Sequence, residues 1–394
     1  MSKKDIPRLS PPSRIGIVGG GQLGRMLTLE AKRMGYYVTV LDPKPQSPAG
    51  QVADAQIVAP FSDEAALREL ANHSDVLTYE FEHIDAKHLI KLEMQSHRIY
   101  PSPRTLQRIQ NKYEQKKLLA QLSVPVPKFY KIDSFDALKA AYRTLNGQLV
   151  LKSCTGGYDG KGNRIIKEPG QLESAYAAFA GMEMMAEALV NYCMEVSIVV
   201  ARNRDGLIHY PIAENIHKES ILIKSIIPAT LPEQTSEQIR DITKCIIEAL
   251  DDYGVFCIEF FVDAQYNVLV NEIAPRPHNS GHYSIEGCVT SQFEQLVRVI
   301  TGMPLGSAKL KSPSVMYNIL GQERVTGDYR LEGAEALMEL EDSHLHLYGK
   351  PDAGHLRKLG HITVLGETVE MAEAKARQAI SHITIEKPRR KALC

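Results

Sequence analysis

The chain has 394 residues, 44% of them apolar, and a formal net charge of -1. At roughly 150 residues per domain this suggests two or three domains, and the near balance of charge excludes an electrostatic footprint for nucleic acid or an anionic membrane surface. No apolar run approaches the roughly 18 residues of a membrane span.

The N-terminal "MSKKDIPRLSPPSR" carries charge but no apolar centre. It reads as an extension and not as a secretory signal. Short apolar runs follow at "IGIVG", "YVTVLD", "AQIVAP", "VLTYEFE" and "RIYPS", with helical patterns such as "LGRMLTLEAKRMG" and "DEAALRELANHS" between them. Strands alternating with helices predict a doubly wound parallel sheet over residues 1–110. Its first turn holds Gly19, Gly21 and Gly24 in the order G-x-G-x-x-G, and Asp42 closes the next run. That pairing suggests a dinucleotide-dependent oxidoreductase, because such a turn brings backbone amides to a phosphate.

One long helix is predicted over 105–122, with a domain boundary near residue 110. Residues 111–300 change character. "QLVLKSCTGGYDGKGNRII" reads as strand, glycine-rich loop, strand, and its glycines free amides for phosphate oxygens. It lacks the P-loop order. "AEALV" and "MEVSIVV" read as strands around a loop, and "SEQIRDITKCIIEALDDYG" as an amphipathic helix. After residue 300 the chain turns to short strands such as "SVMYNILG", "HLHLYGK" and "KLGHITVLG".

The hairpin "VFCIEFFVDAQYNVLVNEIAP" carries the sharpest chemical signal. A turn centred on Ala264 to Asn267 places Glu259 opposite Glu272. Like charges so placed destabilise a sheet. Either a divalent cation lies between them, with Asn271 adding an oxygen, or a one-residue slip sends them to opposite faces. Hard oxygen donors of this kind suit magnesium with substrate phosphates. Lys152 ends the apolar strand "LVL", where a lysine reaches out to an anion or snorkels, whereas Lys112 by itself reads as part of a solvated helix face. Glu187 and Glu195 are candidate acceptors for a nucleoside, though an exposed loop carboxylate is the commoner case. His278 and His282 have H-x-x-x-H spacing, but "PRPHNSGH" is not helical, so the pair is not a zinc site. Cys154, Cys193, Cys245, Cys257, Cys288 and Cys394 form no C-x-x-C pair. That argues against a disulfide framework and fits a reducing, cytoplasmic setting.

In this order the motifs resemble the ATP-grasp superfamily over about residues 14 to 365. Within it the chain is similar to the 5-(carboxyamino)imidazole ribonucleotide synthase family, carboxylases of purine biosynthesis. "GIVGGGQLGRM", "TGGYDGKG", "NEIAPRPHNSGHYS" with "SQFEQ", and "HLYGK" with "RKLGH" carry that likeness. The resemblance implies three segments: an N-terminal pre-ATP-grasp domain (1–110), an ATP-grasp domain (111–300) and a small, mostly β C-terminal domain (301–394). It implies ATP and Mg2+ as cofactors, aminoimidazole ribonucleotide and bicarbonate as substrates, and a homodimer. Another ATP-grasp ligase, such as a formate-dependent glycinamide ribonucleotide transformylase, is the alternative.

Residue by residue, the resemblance assigns Lys112 and Lys152 to the nucleotide phosphates. It assigns Gly157, Tyr158, Asp159, Gly160, Lys161, Gly162 and Asn163 to a loop closing over them. Glu187, Ala188, Leu189 and Val190 would hold adenine; Glu195 and His217 would lie at the nucleoside. Glu259, Glu272 and Asn271 would bind magnesium. Glu80, Glu82, Tyr158, Arg276, His278 and Asn279 would line the bicarbonate and amine pocket. Lys350 and Arg357 would take the ribonucleotide phosphate, with Gly21, Gln22 and Leu23 facing the same substrate. Ala188, Lys112 and Gly354 stand where relatives often carry lysine or glutamine, arginine, and arginine. The last of these departures bears on the substrate phosphate site.

Overall fold

The computed structural model describes residues 7–157 and 162–388. Tyr158, Asp159, Gly160 and Lys161 lie outside the described residues.

β1 (Arg14–Val18), α1 (Gln22–Arg33), β2 (Tyr37–Leu41), β3 (Ala55–Ile57), α2 (Glu64–Asn72) and β4 (Val76–Tyr79) alternate as expected. The strands form a parallel sheet in the order β3-β2-β1-β4. It is buried on both faces. Ile15, Ile17 and Val38 pack with Met26 and Leu27 of α1, and Val18, Leu41 and Leu77 with Leu67 and Leu70 of α2. The fifth predicted strand reduces to one bridge, Leu77 to Ile99. The Ser102 amide, next on the side that faces β4, donates to Asp252 Oδ2 at 2.7 Å and so leaves the ladder.

The single helix predicted over 105–122 is two. After α3 (Ala86–Met94) come α4 (Pro103–Gln110) and α5 (Lys112–Gln121). Asn111 separates them in an extended conformation, and its side chain accepts from the amides of Tyr113 and Glu114. This N-cap restarts the helix in a new direction. It also sets Lys112 in the first turn of α5, where its amide donates to the Cys154 carbonyl.

Beyond α5 the chain builds two antiparallel sheets. β5 (Phe129–Ile132), β6 (Leu149–Ser153), β7 (Asn163–Ile166) and β8 (Met184–Ala188) pair in the order β5-β8-β6-β7. The larger sheet has nine strands. It contains β9 (Met194–Arg202), β10 (Leu207–His209), β11 (Ala213–Lys218), β12 (Ile221–Ile227), β13 (Gly254–Val262) and β14 (Val268–Ala274). β15 (Ser314–Leu320) extends it, and after β16 (Arg330–Glu332) so do β17 (Ser343–Leu347) and β18 (Lys358–Leu365). Its order is β14-β13-β9-β11-β12-β15-β18-β17, with β10 on β9. The strands after residue 300 therefore continue the central sheet. A helix that sequence patterning did not indicate, Val369–His382, covers this extension through Ala372, Ala376 and Ala379, with Thr368 as its N-cap. Among the described residues no helix is long and apolar enough to cross a membrane.

Candidate active site

The glycine turn binds an anion, but one of the protein's own. Glu80 follows β4 and is only 7% exposed. Its carboxylate accepts from the Gly21 amide through Oε1 and from the Gly24 amide at 2.6 Å through Oε2. Two of the amides at the positive end of α1, which would otherwise favour a phosphate, are thus taken. Burial raises the Glu80 pKa, and the two amides oppose that rise. Asp42 is engaged as well: it accepts from the amides of Gly20 (2.9 Å) and Lys44 (2.8 Å).

Glu80 sits at one end of a cavity of about 1200 Å³ that runs between the N-terminal sheet, the four-stranded sheet and the nine-stranded sheet. Gly21, Gln22, Leu23 and Glu82 line the same end. At the other, Lys112 meets Lys152 and Glu187 from the four-stranded sheet. Gly157, Gly162 and Asn163, the described parts of the glycine loop, form its lip, with Ala188, Leu189 and Val190 beside them.

Glu187 has a partner that the sequence did not signal. Lys116, one turn after Lys112, is paired with Glu187 Oε1 at 2.6 Å, both side chains 3% exposed, and donates to the Val270 carbonyl at 3.0 Å. Lys152 holds the other Glu187 oxygen. Burial alone would raise the Glu187 carboxyl, yet Lys152 and Lys116 outweigh it and hold it down to about 2. Burial lowers Lys116 to about 8. Farther along, Glu195 accepts from Tyr192 Oη at 2.5 Å and pairs with His217 Nδ1 at 3.0 Å. Tyr192 stacks on Phe261, the ring centroids 4.7 Å apart. Burial opposes charge on His217, but Glu195 prevails and raises its pKa.

β13 and β14 bring Glu259 opposite Glu272. Lys112 donates to Glu272 at 3.0 Å and holds its pKa down. Glu259 has no such lysine; burial and then the charge of Glu272 push it up. A carboxylate kept from ionising by a like neighbour is relieved by a cation between them. Two carboxylates and the Asn271 amide oxygen fit magnesium in chemistry. Among the described residues no group of three or more His, Cys, Asp or Glu side chains is placed to hold a metal ion alone, so phosphate oxygens would complete the shell.

The loop after β14 supplies the remaining groups. Arg276 Nε pairs with Glu82 Oε1 at 2.8 Å, bridging β14 to the N-terminal domain. His278 lies with its Nε2 3.6 Å from Glu259, while its Nδ1 contacts Ser280 Oγ at 2.9 Å and accepts from the Ser280 amide at 3.4 Å. Burial, then Arg276 and Lys358, lowers the His278 pKa well below its ordinary value. With Nδ1 accepting, the neutral ring carries its hydrogen on Nε2. Ser280 is braced in turn by Ser197 (2.7 Å) and Ser197 by Asn215 (2.8 Å). Asn279 exchanges two hydrogen bonds with Asn318. Lys350 reaches over from the C-terminal strands and donates to Gln22 Oε1 at 2.9 Å.

The cavity therefore gathers every described candidate residue except one. Arg357 does not line it; its guanidinium pairs with Asp352. Lys358, the next residue, does line it, and the Lys350 ammonium donates to the Lys358 carbonyl at 2.6 Å.

Residues 13–110 match the ribonucleotide synthetase preATP-grasp domain, 117–293 the ATP-grasp domain, and 314–375 the phosphoribosylaminoimidazole carboxylase C-terminal domain. The chain is 42% identical over 371 residues to the N5-carboxyaminoimidazole ribonucleotide synthase of Bacillus subtilis, covering 93% of this chain and 94% of that protein. The crystal structure of the Thermotoga maritima synthetase superposes with a TM-score of 0.87 at 44% identity, over 95% of this chain and 100% of that one. The Aspergillus clavatus synthase, solved with ADP and 5-aminoimidazole ribonucleotide, gives 0.86 at 32% identity, over 94% and 98%. With this identity along nearly its whole length, the chain belongs to the N5-carboxyaminoimidazole ribonucleotide synthase family of ATP-grasp enzymes.

Proposed function

We propose that the chain carboxylates the amine of 5-aminoimidazole ribonucleotide with bicarbonate at the expense of ATP, releasing ADP and phosphate. One observation carries this reading. A single cavity joins a cationic, carboxylate-lined end suited to a nucleoside triphosphate to a second end that holds Lys350, Lys358, Arg276 and His278.

At the first end Lys112 and Lys152 neutralise phosphate charge, and Glu187 to Val190 hold the adenine edge. Glu195, steadied by Tyr192 and His217, accepts from the ribose. A loop from Gly157 to Asn163 would cover the phosphates, as the family likeness implies. Glu259, Glu272 and Asn271 would hold magnesium, which when bound offsets charge on the transferred phosphoryl group.

At the second end Lys350 and Lys358 take the ribonucleotide phosphate, with Gln22 beside them. Arg276, fixed by Glu82, and the Nε2–H of His278 orient bicarbonate for attack on the γ-phosphorus. The bond to the β-phosphate oxygen breaks, leaving ADP and carboxyphosphate. The amine then takes the carboxyl carbon, directly or as carbon dioxide, phosphate departs, and the amine loses a proton. Asn279 and Glu80 hold the walls against which this occurs. Closure over Tyr158 and Lys161 would keep water from the intermediate.

The test is ADP release with ribonucleotide and bicarbonate, each omitted in turn. Full release without the amine would sink the reading. Family likeness also supports a cytoplasmic homodimer, which sedimentation at several concentrations would check.

A further inference from the structure

The run "SQFEQ" marks the family likeness, yet none of its residues lines the cavity. Gln292 is the first residue of the helix Gln292–Ile300 and is 0% exposed. Its side chain reaches back to the loop that carries His278. Oε1 accepts from the His278 amide at 2.9 Å, and Nε2 donates to the His278 carbonyl at 2.7 Å. Both peptide groups of His278 are thereby met by one side-chain amide, as a neighbouring strand would meet them. The His278 amide needs this, because a peptide N–H without a partner is costly and β14 has already ended at Ala274; the carbonyl accepts from the Gly281 amide at 3.0 Å as well.

The same Nε2 lies 3.3 Å from His282 Nδ1. The two bonds to His278 fix which end of the amide is oxygen, so Nε2 can only donate. His282 Nδ1 must accept, and its hydrogen sits on Nε2. Gly281 fits between the two histidines because a Cβ there would stand 2.5 Å from Gln292 Oε1. The Gln292 amide itself donates to Ser284 Oγ, which donates to the Gly281 carbonyl.

We infer that Gln292 is a positioning residue: it staples the His278–His282 loop at both ends and so fixes where His278 presents its ring to the substrates. The inference rests on the proposed reaction for its kinetic consequence and on hydrogen bonding alone for its spectroscopic one.

Gln292→Glu keeps the acceptor for the His278 amide and removes both donors; Gln292→Met keeps length and packing and removes all three bonds. In either variant the ribonucleotide-dependent kcat is expected to fall about tenfold to a hundredfold, as small misplacements do, with KM for ATP within about twofold. Nitrogen-15 imidazole spectra, assigned from the signal lost in His282→Asn, are expected to show Nε2–H on His282 in the wild type. Gln292→Glu is expected to put a proton on Nδ1. A folded Gln292→Met with kcat within about twofold of wild type, or a wild-type His282 protonated on Nδ1, overturns the inference. If the wild type shows no ribonucleotide-dependent ADP release, the proposed function fails instead, and the His282 tautomer still decides the staple.

Discussion

Glu259 stands across from Glu272 because Asn271 is an extra residue in its strand. Near the turn Val262 pairs with Val268 and Phe260 with Val270, but the next pair is Glu259 with Glu272. A bulge of this kind re-aims side chains beside functional sites. Without it, Glu259 would face Asn271 and the carboxylates would part. The magnesium proposal thus predicts that Glu272→Gln and Glu259→Gln each lower kcat by about a thousandfold, ~4 kcal/mol at 1.36 kcal/mol per tenfold. Steady-state ADP release over a magnesium titration checks this. Near-normal rates in both variants rule the paired site out.

Lys350→Ala and Lys358→Ala should each raise KM for the ribonucleotide by about tenfold to a hundredfold, the worth of a hydrogen bond to a charged group. KM for ATP should stay within about twofold. Both ammonium-bearing residues line the end of the cavity next to Gln22. Equal effects on the two substrates would remove the phosphate assignment from this end.

Lys116→Met should weaken ATP binding although Lys116 does not line the cavity. Glu187 would keep only Lys152 as its counter-charge, and that lysine would be held away from phosphate. Removing one partner of a buried pair costs about 3–5 kcal/mol, so a lower melting temperature should accompany a higher KM for ATP. Restoration by Lys116→Arg is not expected, since the planar guanidinium cannot replace a compact ammonium in a site this closed. An unchanged melting temperature and KM would show that Lys152 suffices.

How much of this was legible follows from the range of each interaction. The parallel sheet came from local alternation, which a strand obeys whatever surrounds it. The facing glutamates came from a turn centred on Ala264 to Asn267; the strands near the turn pair one residue out of that register, Val262 with Val268, and the extra residue Asn271 brings Glu259 and Glu272 back opposite each other. The N-cap at Asn111 had a local signal too, an Asn with Glu114 three residues on, but apolar spacing continues across it and masked the break. The Lys116–Glu187 pair joins elements 71 residues apart in sequence, and nothing near either residue foretells it. The family resemblance points to Arg357, whereas its neighbour Lys358 is the one that lines the cavity. Which of two adjacent residues faces the cavity is set by where β18 begins, and it begins at Lys358.

The His217–Glu195 pair gives a signed pH dependence. The folded-state pKa of His217 is raised, with Glu195 outweighing burial. The pair's contribution is therefore complete below the unfolded histidine value of about 6.5 and fades as pH rises through the higher folded value. The stability difference between wild type and His217→Gln should be larger near pH 6 than near pH 9, by about 1 kcal/mol or less for a partly exposed pair. Denaturant titrations at the two pH values measure it. A difference that grows toward pH 9 would contradict the pairing.

The glycine turn yields the last prediction. A dinucleotide would need the amides of α1 for its pyrophosphate and Asp42 for its ribose. Glu80 holds the Gly21 and Gly24 amides, and Asp42 holds those of Gly20 and Lys44. The turn therefore fixes Glu80 at the wall of the substrate end, and a pyrophosphate would have to displace it from the Gly21 and Gly24 amides. A Cβ at Gly21 would lie 2.6 Å from Glu80 Oε1, and the buried carboxylate cannot yield without losing its amides. Gly21→Val should raise KM for the ribonucleotide by about tenfold or more and leave KM for ATP within about twofold. NADH fluorescence should not change when wild-type protein is added. Saturable micromolar binding of NADH, competed by neither ATP nor the ribonucleotide, would show that Glu80 gives way to a phosphate and that the turn serves a dinucleotide after all.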